Sequence, residues 1–145
     1  MWMNCPLTKI GVRLAVIAVA LFAALPGRAA SPEADYSGHY EMVNAKAGRV
    51  FSLDVKQNHE RVDVSFSAAM EDGSGAAPDA TGQGRIENGV LSFDFKDSFN
   101  NEGSCTLALG TGGYHLCMMV AKIVDPSPLH FYGNVLLKKT STKSH

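Results

Sequence analysis

The sequence predicts an all-β fold, a small antiparallel barrel of about eight strands, with a two-sheet β-sandwich as the alternative. Three observations carry this reading. Apolar and polar residues alternate with period two through most of the chain beyond residue 38, which is the pattern of strands with one buried and one wet face. Clusters of Gly, Asn, Asp and Pro interrupt that alternation about every 8–12 positions. No stretch beyond residue 30 carries a convincing helical period.

The first thirty residues have a different pattern. Lys9 and Arg13 precede the apolar run Leu14 to Leu25, which Pro26-Gly27 closes. Gly27 and Ala29 supply the small residues that a signal peptidase requires, so cleavage is expected after Ala29 or Ala30. The run falls well short of the roughly 20 apolar residues of a membrane span. Cys5 precedes the apolar run and is therefore no lipoprotein cysteine. Residues 1–29 thus read as a signal peptide, 30–37 as an N-terminal linker, 38–139 as a single β domain and 140–145 as a disordered tail. The expected location is periplasmic or secreted, with no membrane span after cleavage.

Each strand has a local reason. Gly38 to Val43 is the first. In Val50 to Gln57, the residues Phe51, Leu53 and Val55 share one face while Ser52, Asp54 and Lys56 share the other. Asn58-His59-Glu60 turns the chain into Arg61 to Ser67, with Val62, Val64 and Phe66 inward. Residues 71–84 read as a Gly- and Pro-rich surface loop that enters a weak strand over Thr81 to Glu87. Asn88-Gly89 suits a type I′ hairpin turn, because both residue types tolerate positive φ. Val90 to Phe95 follows, with Leu91, Phe93 and Phe95 inward. Residues 97–103 form another loop. Ser104 to Leu109 and Tyr114 to Ile123 are strands joined at Gly110–Gly113, and Leu129 to Lys138 is the last strand beyond Asp125-Pro-Ser-Pro128.

Gly38-x-Tyr40 resembles, over three residues and with tyrosine in place of tryptophan, the Gly-x-Trp opening of lipocalin-like barrels. The expected barrel is lipocalin-like in shape, and no family is assigned on so short a match. The stretch Leu116 to Ala121, with Ile123 and Val124, is apolar on both faces and calls for a cover from this chain or from a partner. Removing the signal leaves two cysteines, Cys105 and Cys117. In an oxidising compartment they are expected to form a disulfide.

Composition excludes some functions. Lys9, Arg13 and Arg28 would leave with the signal, so the domain keeps ten basic against fourteen acidic residues, a net charge of −4. A negative domain repels phosphate backbones, which argues against a nucleic-acid partner. His39, His59, His115, His130 and His145 show no metal-ligand spacing, and no metal site or cofactor is expected. Gly73-Ser74-Gly75 lacks the spacing of a nucleophile elbow. His115 and Cys117 share one strand face, but a bridge to Cys105 would silence that thiol. The glycine pairs lead into no helix that could bind phosphate. No catalytic residues are assigned.

The distinctive surface element is the loop Asp97-Ser-Phe-Asn-Asn-Glu102. Phe99 has no period-two reason for burial, so it either plugs one barrel end or anchors a partner. Asp97, Asn100, Asn101 and Glu102 would then form the polar rim. The expected function is an exported, non-enzymatic binding protein of the inhibitor or immunity type that recognises a periplasmic protein. The alternatives are a carrier holding a small apolar ligand inside the barrel and, third, an enzyme with an unrecognised site.

Overall fold

The computed structural model describes residues 34–43, 48–59 and 61–140. The expected signal peptide, residues 30–33 of the expected linker and residues 141–145 of the expected tail lie outside the described residues. The strands are β1 (Gly38–Met42), β2 (Arg49–Asn58), β3 (Arg61–Met70), β4 (Asp79–Glu87), β5 (Val90–Asp97), β6 (Glu102–Gly110), β7 (Gly113–Lys122) and β8 (Asn134–Thr140). They form a closed antiparallel barrel in sequence order. Closure is made by β1 on β8, with Tyr40 opposite Lys139 and Glu41 opposite Lys138. The barrel, not the sandwich, is therefore the architecture. Pairing the first strand with the last removes the two edges that an open sheet would expose.

Period-two alternation does the sorting. On β2, Phe51, Leu53 and Val55 are buried, and on β5 Leu91, Phe93 and Phe95 are buried. An eight-stranded barrel has an interior just wide enough for side chains to fill, and here aromatic rings fill it. The Phe51 and Phe66 rings stack with centroids 5.4 Å apart, and Phe66 meets Phe95 edge-on at 5.3 Å. Such pairs add about 0.5–1.5 kcal/mol beyond their area burial.

Both ends are closed by segments outside the strands. At the end carrying the β4–β5 turn, Tyr36 is buried although it lies in the expected linker. Its ring packs edge-on against Tyr114 at 6.0 Å, and its hydroxyl donates to the Gly89 carbonyl at 2.6 Å. The Tyr40 hydroxyl donates to the Tyr36 carbonyl at 2.5 Å. At the opposite end a 3₁₀ turn, Ser127–Phe131, carries Phe131 into the core. The expected last strand from Leu129 is thus replaced by this turn, and the strand begins only at Asn134. Pro126 and Pro128 hold the turn, since proline fixes φ and cannot donate to a ladder.

The expected Cys105–Cys117 disulfide is not formed. Cys105 is a buried free thiol. The β6–β7 ladder pairs Cys105 with Met118 and Thr106 with Cys117. Residues one register step out of line project to opposite faces of a sheet, so Cys105 points into the barrel while Cys117 lies on its outside. Burial pushes the Cys105 thiol well above its ordinary pKa, and the nearby Asp94 charge adds to the effect.

Candidate functional site

The loop between β5 and β6 is anchored by two buried polar side chains, Asp97 and Asn101. Asp97 Oδ1 accepts from the backbone N–H groups of Phe99 at 2.9 Å and Asn101 at 2.8 Å. Asp97 Oδ2 accepts from Asn101 Nδ2 at 2.9 Å and from the Tyr132 hydroxyl at 2.5 Å. Asn101 Oδ1 accepts from the N–H groups of Val124 at 2.8 Å and Asp125 at 3.0 Å. Buried polar groups without partners are costly, and here the two side chains satisfy each other and the backbones of two loops. Burial, reinforced by the hydrogen bond to Asp97, raises the Tyr132 pKa, so the phenol stays protonated and donating.

Backbone bonds complete the latch. Asp97 N–H donates to the Asn101 carbonyl at 3.0 Å, and Asn100 N–H returns to the Asp97 carbonyl at 3.0 Å. Asn100 adopts φ of +64°, a conformation that asparagine tolerates better than most residues. Ser98 is tied to the start of β4 through the Asp79 carbonyl at 2.8 Å. The β5–β6 and β7–β8 loops are therefore tied to each other by side-chain hydrogen bonds and form one platform.

The platform presents apolar surface. Phe99 is half-buried and stands outside the core cluster. At this end Phe131 occupies the core and Tyr132 packs against it, so Phe99 is not the plug. Ile123 and Val124 are 57 % and 56 % exposed, and Met119 on the outer face of β7 is 52 % exposed. Apolar surface is thus exposed at Met119 on the outer face of β7 and at Ile123 and Val124 just beyond it. A register shift between Glu102 and Gly103 breaks the alternation there. Lys122 Nζ and Lys96 Nζ lie 3.2 and 3.8 Å from Glu102 Oε1, forming a charged row beside the platform.

The five loop residues singled out from sequence thus divide. Asp97 and Asn101 face inward and hold the loop, Glu102 is engaged with lysines, and Phe99 and Asn100 remain for contact. Sequence reasoning marked Ile123 and Val124 as apolar surface in need of a cover but did not join them to this loop, and it missed Tyr132. Tyr132 follows the Pro126–Pro128 break closely, which was the available signal.

Among the described residues, three histidines have separate partners. His39 Nδ1 lies 2.7 Å from Asp54 Oδ1, His115 Nε2 lies 3.0 Å from the Thr111 carbonyl, and His130 Nδ1 lies 2.9 Å from the Ser127 carbonyl. Among the described residues no group of three or more His, Cys, Asp or Glu side chains is placed to hold a metal. Among the described residues no helix is long and apolar enough to cross a membrane. No protein-family model, curated protein or solved structure matches the chain.

Proposed function

We propose that this is an exported, non-enzymatic binding protein of the inhibitor or immunity type, which recognises another protein through the platform of Phe99, Asn100, Ile123 and Val124. The observation that carries the reading is the latch of Asp97, Asn101 and Tyr132 beneath the exposed Ile123 and Val124 and the partly buried Phe99. A surface held rigid before binding loses little conformational freedom on association. Aromatic and aliphatic anchors with a polar rim match the anatomy of interface hot spots. The barrel interior is occupied by its own rings, so recognition is assigned to the outside and not to a ligand within.

Affinity capture from an envelope extract of the source cells tests this. Wild-type protein is expected to retain a defined partner, and Phe99→Ala and Ile123→Asp are expected to release it while keeping the wild-type circular dichroism. Capture that survives both substitutions would remove the platform from the interface.

A further inference from the structure

The end of the barrel opposite the platform carries a separate chemistry. We propose that Asn88 is a site of spontaneous deamidation, and that the Tyr36 closure of the barrel sets its rate. This goes beyond the binding role and does not depend on it.

The chain holds one Asn-Gly and one Asp-Gly pair, Asn88-Gly89 and Asp72-Gly73. Only the first is free to react. The β4–β5 ladder closes at Glu87 opposite Val90, which leaves the Gly89 N–H outside it. Asn88 and Gly89 are exposed, with φ of +52° and +74°, and nothing lies within 4 Å of the position a Gly89 Cβ would take. The Gly89 nitrogen therefore has open access to the Asn88 side chain whenever the turn relaxes. At Asp72-Gly73 both partners are occupied. The Gly73 N–H donates to the Met70 carbonyl at 2.9 Å. Asp72 Oδ1 accepts from Ser74 N–H and Oγ at 2.9 and 2.6 Å, which keeps it an ionised, unreactive carboxylate.

In the reaction the Gly89 amide nitrogen attacks Asn88 Cγ and loses its proton. The Cγ–Nδ2 bond breaks, and ammonia departs with that proton. Water then opens the resulting succinimide at either carbonyl, yielding aspartate or isoaspartate. No oxidant or cofactor enters. An isoaspartate adds a methylene to the main chain of a two-residue turn, which moves the Gly89 carbonyl away from the Tyr36 hydroxyl. Conversely, the 2.6 Å bond from Tyr36 to that carbonyl restrains the opening that ring closure requires.

The test is ageing of the full-length protein in mildly alkaline buffer, followed by tryptic mapping of the peptide Ile86 to Lys96. Wild-type protein is expected to accumulate isoaspartate at position 88, with the Asp72-Gly73 peptide unchanged. Tyr36→Phe is expected to convert about fivefold faster, the change that losing one hydrogen bond of ~1 kcal/mol produces. The aged wild-type fraction, separated by its extra charge, should show faster hydrogen exchange at the Tyr36 amide, which otherwise donates to Gln57 Oε1 at 3.1 Å. That measurement holds even if the variant folds poorly. No conversion at Asn88 would overturn the site. Equal rates in a folded Tyr36→Phe, or unchanged Tyr36 exchange in the aged fraction, would overturn the coupling.

Discussion

The hydroxyl of Tyr132 donates to Asp97 Oδ2 across 2.5 Å and 35 residues of sequence. That single bond ties the segment returning to β8 to the end of β5. The same carboxylate organises the loop that carries Phe99. Stability and surface presentation at this end of the barrel therefore share the buried Asp97 carboxylate.

Removing the other half of the latch should be costly. Asn101→Ala leaves Asp97 short of a donor and the Val124 and Asp125 N–H groups without their acceptor. The expected loss is about 2–3 kcal/mol, which thermal unfolding should show as a fall of several degrees or more. Partner capture should fall with it, because the platform loses its support.

Phe99 and Phe95 should separate cleanly in the same assay. Phe95→Ala removes a buried ring from the aromatic cluster and is expected to cost about 3–5 kcal/mol. Phe99→Ala removes a partly buried ring outside that cluster and should cost less, about 1–2 kcal/mol. Equal melting points for the two variants would contradict this assignment.

His39 gives the stability a pH dependence of known sign. The hydrogen bond to Asp54 raises its pKa above the ordinary histidine value, with Glu41 3.5 Å away adding to the effect against partial desolvation. A raised folded-state pKa stabilises fully below the unfolded value of about 6.5 and is lost as pH rises through the folded value. The site is partly exposed, so the contribution is about a few tenths of a kcal/mol. Denaturant titrations of wild type and His39→Gln at pH 5.5 and pH 8.5 should differ more at the lower pH. Asp54→Asn should flatten the wild-type dependence.

Cys105 should behave as an inert interior thiol. Its burial disfavours the thiolate that alkylating reagents require. Iodoacetamide should leave Cys105 unmodified in the folded protein and modify it in denaturant without added reductant. A Cys105–Cys117 cross-link in a non-reducing digest would contradict the β6–β7 register.

Much of the barrel was legible in the chain. The alternation over Phe51 to Val55 and over Leu91 to Phe95 predicts which side chains meet in the core, and the structure buries all of them. Asn88-Gly89 predicts its hairpin, and the observed φ values agree. The cysteine pairing failed for a reason the sequence contains. A two-residue turn that pairs Gly110 with Gly113 forces Cys105 opposite Met118. Spacing and compartment alone do not register that parity, whereas the ladder does.

Most strands and their inward faces were written in the sequence, because pleating imposes a period of two that depends only on neighbouring residues. Closure of β1 on β8, the inward turn of Asp97 and Asn101, and the use of Tyr36, Phe131 and Tyr132 to seal the ends were decided by the tertiary structure. Those features join residues from 4 to about 100 positions apart. Loop residues lack a period from which an inward or outward direction could be read. Their direction is set by which buried donors and acceptors the closed barrel leaves to be satisfied.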